Sequence, residues 1–258
     1  MHHEGPGTHT PEHHATHHQM GHEAHEPAAR LPLIGDDAPA FSADTSMGRV
    51  TFPDDYRGRW VVLFSHPGDF TPVCTTEIMA FGAMQGEFKA LGAELIGLSV
   101  DSVPSHIAWL RAMRDKIRFK EMAGVEVRFP IIADVSMEVS RKYGMIQPGA
   151  SNTAPVRAVF VIDPNAKVRA LIYYPLESGR NMAEIKRILM AIQTSDAHHV
   201  ATPADWQPGE EVILLPPMSM EKAEERLSSG EGRCEDWFIC LKSAAPTGDP
   251  GAFKPGGG

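Results

Sequence analysis

The apolar run Trp60-Val61-Val62-Leu63-Phe64, followed through a Pro67-Gly68 bend by a helix-patterned stretch, constrains this chain more than any other feature. So short and apolar a run reads as a buried strand, and residues 73–91 read as a helix. The alternation continues along the chain. Strand patterns cover 60–65, 94–100, 156–162 and 168–174, and helix patterns cover 73–91, 104–119, 136–143 and 181–194. Strands interleaved with helices predict an α/β fold, a mixed central sheet flanked by helices. Asp163-Pro164-Asn165-Ala166 is turn chemistry between two β-rich runs and predicts an antiparallel hairpin. Ser102 supplies a capping hydroxyl, and Pro104 sits near the first turn of the helix it opens.

Three regions follow from texture. Residues 1–29 hold nine of the thirteen histidines among Gly, Pro, Thr and Glu, with almost nothing apolar, and are expected to be a disordered His-rich tail. Its interspersed imidazoles are able to bind a divalent metal weakly; an inert solubilising segment is the alternative. Residues 30–194 carry the α/β pattern. Residues 195–258 are expected to form a small C-terminal α+β domain, with a strand at 212–215, a helix at 219–228 capped by Ser219, and a flexible Pro/Gly-rich end. That domain is small enough to need a neighbour, such as another subunit, to dock on.

Composition removes several functions. At 42% hydrophobic the chain can fill one full core, and its net charge of −9 opposes a nucleic-acid partner or an anionic membrane surface. No apolar run approaches the roughly 18 residues that span a bilayer. The N-terminus shows neither an apolar signal core nor an Arg-rich address. Three cysteines at irregular spacing do not form a secreted disulfide framework, so a reducing cytoplasm is the expected compartment.

Cys74 falls where the strand gives way to the helix. A thiol at a helix start meets unpaired N–H groups and the positive end of the macrodipole, both of which favour thiolate. Free cysteine is also among the most buried residue types, so a structural thiol remains the alternative at this point. Thr71, one turn earlier, and the Pro67-Gly68 bend are placed to shape a pocket. A thioredoxin-type Cys-x-x-Cys is excluded, because Thr71 occupies the position three before Cys74.

Pro67-x-x-x-Thr71-x-x-Cys74 resembles the active-site signature of the peroxiredoxins, in particular the one-cysteine (peroxiredoxin-6-like) branch and its archaeal-type, thioredoxin-dependent members. The resemblance continues in Leu98-Ser99-Val100-Asp101-Ser102, Phe129-Pro130-Ile131-Ile132-Ala133-Asp134, Arg157-Ala158-Val159-Phe160-Val161-Ile162-Asp163, Tyr173-Tyr174-Pro175 and Ala201-Thr202-Pro203-Ala204-Asp205-Trp206. It implies a thioredoxin-like fold and a thiol peroxidase acting on hydrogen peroxide and organic hydroperoxides, without cofactor or metal. It implies Cys74 as the peroxidatic cysteine, forming a sulfenic acid. Thr71 would hydrogen-bond the peroxide and the thiolate, Pro67 would shield the pocket, and Arg157 would place positive charge beside the sulfur. His66, Glu77 and Arg180 match positions near the site, with His66 and Arg180 as further substrate-binding candidates. For His66 a merely packed histidine is an equal alternative.

The resemblance also implies how the sulfenic acid is resolved. Thr202 stands where two-cysteine members carry their resolving cysteine, so that route is closed. Arg233-Cys234-Glu235-Asp236-Trp237-Phe238-Ile239-Cys240 resembles the C-terminal cysteine pair of archaeal-type members. Cys240 is thereby implied as resolver, in an interchain Cys74–Cys240 disulfide, with Cys234–Cys240 as an alternate pairing and Trp237 and Phe238 as an anchor that docks the tail. A thioredoxin-type reductant and a homodimer assembling into a homodecamer complete the implied picture. A redox-controlled chaperone or peroxide sensor on the same fold is the other function weighed. No Gly-x-Ser-x-Gly motif is present to support the phospholipase activity of mammalian members.

Overall fold

The computed structural model describes residues 1–2 and 31–244. Expectations for the His-rich segment beyond His2, and for the Pro/Gly-rich end past residue 244, lie outside the described residues. A hairpin, β1 (Phe41–Thr45) and β2 (Gly48–Phe52), precedes β3 (Trp60–Ser65), α1 (Pro72–Ala90), β4 (Ala93–Ser99) and α2 (Val103–Lys116). The short pair β5 (Arg118–Phe119) and β6 (Met122–Ala123) leads to β7 (Ile131–Ala133), α3 (Glu138–Lys142), β8 (Arg157–Ile162), β9 (Val168–Tyr174) and α4 (Met182–His198). The chain continues through β10 (Val200–Ala201), β11 (Val212–Leu214), α5 (Met220–Ser229), β12 (Arg233–Asp236) and β13 (Ile239–Lys242).

Seven strands form one mixed sheet in the order β2-β1-β7-β4-β3-β8-β9. β3 runs parallel to β4 and antiparallel to β8. The β8–β9 hairpin is antiparallel, as the Asp163–Ala166 turn predicts. Every residue of β3 is buried, and its alternation splits the core in two. Val62 and Phe64 pack with Cys74, Phe81, Trp109 and Leu189, beneath α1, α2 and α4. Val61 and Leu63 pack on the opposite face with Phe41, Phe52 and Tyr143, beneath α3 and the β1–β2 hairpin. This is the thioredoxin-like arrangement, with helices on both faces of a mixed sheet. No helix among the described residues is long and apolar enough to cross a membrane.

Several element ends differ from the sequence reading, each for a local reason. The helix expected through residue 119 ends at Lys116, because Ile117 turns extended (φ −88, ψ 137) and Arg118–Phe119 pairs with Met122–Ala123. The helix expected from 136 begins at Glu138, after Met137 adopts a left-handed φ of 58. Its cap is Asp134, whose carboxylate accepts the N–H groups of Val139 and Ser140 at 3.1 and 2.7 Å. Ser102 and Ser219 do cap their helices, accepting from Ser105 and Lys222.

α4 runs past the domain boundary expected at 194/195 and stops at His198. Beyond it, Trp206, only 2% exposed, packs with Ala191, Val200 and Val212. Arg187 of α4 donates to the Trp206 carbonyl at 3.2 Å. A second sheet, β10-β11-β13-β12, follows. Trp206 rather than Trp237 or Phe238 thus ties this region to its own chain. The latter two sit at the β12–β13 turn, 39% and 53% exposed, and contact each other edge to face.

Candidate active site

Thr71 is the extended residue before α1, and Pro72 occupies the first helical position, where its missing N–H costs nothing. Cys74 therefore lies in the first turn of α1, and packing against β3 buries it completely. Glu77, one turn on, shares its face of the helix and is also buried. The strand β8 opens with Arg157, only 2% exposed and not the surface arginine its position suggests. Its Nη1 donates to Cys74 Sγ at 3.3 Å and to Glu77 Oε2 at 2.6 Å, while Nε is fixed by the Leu176 carbonyl at 2.9 Å.

Arg180 closes the cluster from behind. Its backbone N–H and Nε donate to Glu77 Oε1 at 2.8 and 3.0 Å, and Nη2 donates to Oε2 at 2.8 Å. Nη1 donates to the carbonyls of Ser65 and Ala158. The guanidinium lies 5.2 Å over the Phe64 ring and 5.5 Å over the Phe81 ring, which are themselves stacked 3.9 Å apart. Burial pushes Arg180 below its usual basicity, with Glu77 opposing. Arg180 thus braces the site internally, through Glu77 and two backbone carbonyls.

Charge counting gives this cluster its chemistry. Two guanidiniums against one carboxylate leave one net positive charge in a fully buried place, which a neutral thiol cannot offset. A thiolate on Cys74 brings the cluster to neutrality, and Arg157 is already in contact with the sulfur that would carry it.

The loop before α1 is held by a second buried network. Asp69 pairs with His66 Nε2 at 3.1 Å and His106 Nδ1 at 2.8 Å, and accepts the Ser105 hydroxyl at 2.8 Å. The two imidazoles hold the Asp69 carboxyl well below its usual range. His106 Nε2 meets the Ile132 carbonyl at 3.2 Å. Burial pushes the His66 imidazole below its ordinary pKa, its Nε2 faces the carboxylate, and its Nδ1 has no hydrogen-bond partner among the described residues. His66, Asp69 and Asp101 have donor atoms within 4.8 Å of one another, a metal-like grouping. Both carboxylates are nevertheless engaged, Asp101 by the Asp69 N–H and the Ser99 hydroxyl.

Thr71 donates its hydroxyl to the Gly68 carbonyl at 2.8 Å, leaving its oxygen free to accept. Thr71 and Pro67 are half-buried, and Phe70 between them is 61% exposed with a left-handed φ of 56. That conformation is uncommon for an aromatic residue and marks the loop as strained beside the thiol. At the other end of the chain Cys234 and Cys240 are joined by a disulfide, S–S 2.05 Å, across directly opposed positions of β12 and β13. Cys74 is the free cysteine. Asp69, Ser105 and His106 were not found by sequence reading; their contacts span more than thirty residues and leave no local pattern.

Comparison with known proteins gives matches over most of the chain. A model of the AhpC/TSA family matches residues 34–171, and one of the C-terminal domain of 1-Cys peroxiredoxin matches residues 191–230. A peroxiredoxin of Methanosarcina mazei is 60% identical, over 82% of this chain and 98% of its own. One from Aquifex aeolicus is 53% identical, over 82% and 97%. Among solved structures, a yeast mitochondrial 1-Cys peroxiredoxin, described for thiol resolution via glutathione/thioredoxin systems, superposes with TM-score 0.71 and 37% identity, covering 83% of this chain and all of its own. A cysteine-to-serine mutant of the peroxiredoxin 6 of Arenicola marina gives 0.69 and 35%, covering 83% and 98%.

Proposed function

The chain belongs to the peroxiredoxin family and is a thiol peroxidase, and we propose that Cys74 is its peroxide-attacking sulfur and Cys240 of a partner subunit its resolver. The observation that carries the first half is the 3.3 Å contact between Arg157 Nη1 and Cys74 Sγ, inside a buried cluster that a thiolate neutralises. The thiolate attacks the terminal oxygen of hydrogen peroxide or an alkyl hydroperoxide. The O–O bond breaks, water or an alcohol leaves with a proton, and Cys74 becomes a sulfenic acid. Arg157 stabilises the negative charge that moves from sulfur to the leaving oxygen. The free oxygen of Thr71 accepts a hydrogen bond from the incoming peroxide, Pro67 limits water at the sulfur, and His66 Nδ1 offers a second buried acceptor. Arg180 keeps Glu77, and through it Arg157, in place.

The second half rests on the chain's remaining cysteines. A Cys240 thiolate attacks the Cys74 sulfenic acid of the partner, forming the interchain Cys74–Cys240 disulfide and releasing water. The Cys234 thiolate then attacks Sγ of Cys240, Cys74 leaves as thiolate, and the Cys234–Cys240 disulfide results. Cys74 and Cys240 are both fully buried, so this exchange requires local opening of α1 and β13. A thioredoxin-type donor returns the pair to thiols, in a homodimer that assembles into a homodecamer in the cytoplasm. Weak divalent-metal binding by the His-rich segment 1–29 is a separate property of the chain. One equivalent of peroxide should produce a disulfide-linked dimer on a non-reducing gel, absent in Cys240→Ser. Persistence of that dimer in Cys240→Ser would assign resolution to Cys234.

A further inference from the structure

The two sulfurs of the C-terminal disulfide are not equivalent. Cys240 lies in β13, the inner strand between β11 and β12, and is fully buried. Cys234 faces it from β12, the outer strand, and is only half-buried. Two residues before Cys234 the edge must stay bare. Gly232 has φ +82, and a Cβ there would lie 2.5 Å from the Leu241 carbonyl oxygen. A thiolate attacks a disulfide in line with the S–S bond, so access to one sulfur or the other decides which new bond forms.

From this asymmetry we propose that Cys234 is the sulfur attacked by the dithiol that reduces the pair, and that Cys240 is the leaving group. The inference rests on the reading that this pair returns electrons to Cys74. In the first step the reductant's thiolate bonds to Sγ of Cys234. The Cys234–Cys240 bond breaks, its electron pair leaves on Sγ of Cys240, and that sulfur takes a proton. In the second step the reductant's other thiolate attacks its own partner sulfur in the mixed disulfide, and Cys234 leaves as thiolate. Two electrons pass, and the reductant ends as a disulfide.

Burial of the leaving sulfur opposes this direction, because desolvation disfavours thiolate. Attack in the other direction meets a greater obstacle, since reaching Sγ of Cys240 requires separating β13 from a neighbouring strand. The order has a use. The first thiol set free is Cys240, the one required for the next peroxide, while Cys234 is still occupied by the reductant.

The test uses the full chain carrying Cys74→Ser, oxidised so that Cys234–Cys240 is its disulfide. It is mixed with a thioredoxin-type protein whose second active-site cysteine is replaced by serine, quenched in acid, alkylated, digested and mapped by mass spectrometry. Attachment to Cys234 is expected in roughly tenfold or greater excess over Cys240. An even split, an excess on Cys240, or no mixed disulfide overturns the proposal. Cys74 takes no part in this experiment, so its outcome is separate from the gel assay of Cys240→Ser, in which a wrong choice of resolver shows itself.

Discussion

The Cys74 site and the Cys234–Cys240 hairpin both position sulfur, yet they use charge in opposite ways. Around Cys74 the charges are buried and interlocked, with Glu77 serving Arg157 and Arg180 together. Around the hairpin they are exposed, with Arg233 reaching Glu211 and Glu235, and Lys242 reaching Glu231 at 3.6 Å. Losing one member of a buried pair costs about 3–5 kcal/mol, whereas an exposed pair contributes about 0–1 kcal/mol. The first region is built to hold one geometry under load. The second rests on exposed pairs, each of which holds its neighbours only weakly.

Experiments can break this contrast, and the largest effect comes first. Cys74→Ser removes the proposed nucleophile and should reduce thiol-dependent peroxide consumption to background in a coupled assay; substantial residual turnover would move the chemistry to another sulfur. Arg157→Met keeps the length of the side chain and loses its charge. The rate of Cys74 oxidation, followed by stopped flow, should fall about 100- to 1000-fold, as for removal of one preorganised donor.

Glu77→Gln removes the carboxylate that two buried guanidiniums share. Urea unfolding should show a loss of about 3–5 kcal/mol. Arg233→Ala, the matched change at the hairpin, should cost less than about 1 kcal/mol. Equal losses at the two sites would erase the distinction between them.

The smallest effect is in pH. Asp69 has a folded pKa below its unfolded value, so its stabilisation is complete above about pH 4 and is lost as pH falls further. His66 is also held low, so the unfolded chain binds a proton that the folded chain refuses once pH drops below about 6.5. Both effects weaken the fold on the acid side. Urea midpoints should decline from pH 7 to pH 5, and more steeply below pH 4. Asp69→Asn should flatten the lower limb and His66→Gln the upper one.

Much of the frame was legible because its signals are local. The β3 and β9 strands fall where their apolar runs predict, and the Asp163–Ala166 turn joins antiparallel strands as its residues require. The β1–β2 hairpin was missed, since Phe41–Thr45 and Gly48–Phe52 mix polar and apolar residues at a sheet edge. β12 was missed for a related reason: Arg-Cys-Glu-Asp has no apolar face to betray a strand. At the site, Cys74, Arg157 and Glu77 stood out through motif resemblance. Nothing local joins Glu77 to Arg180, 103 residues away, or Asp69 to His106, and only folding brings them together.

One element has a bearing on both sulfur chemistries. The residues just before α4 bind Glu77 through Arg180, and the far end of α4 leads through His199 directly into β10 of the small sheet. Its 17 residues are therefore a ruler about 25 Å long, marked in helical phase. Inserting a single residue within α4 would lengthen it by about 1.5 Å and swing everything beyond it through about 100°. The hairpin would then keep its disulfide and its strands and point its sulfurs the wrong way.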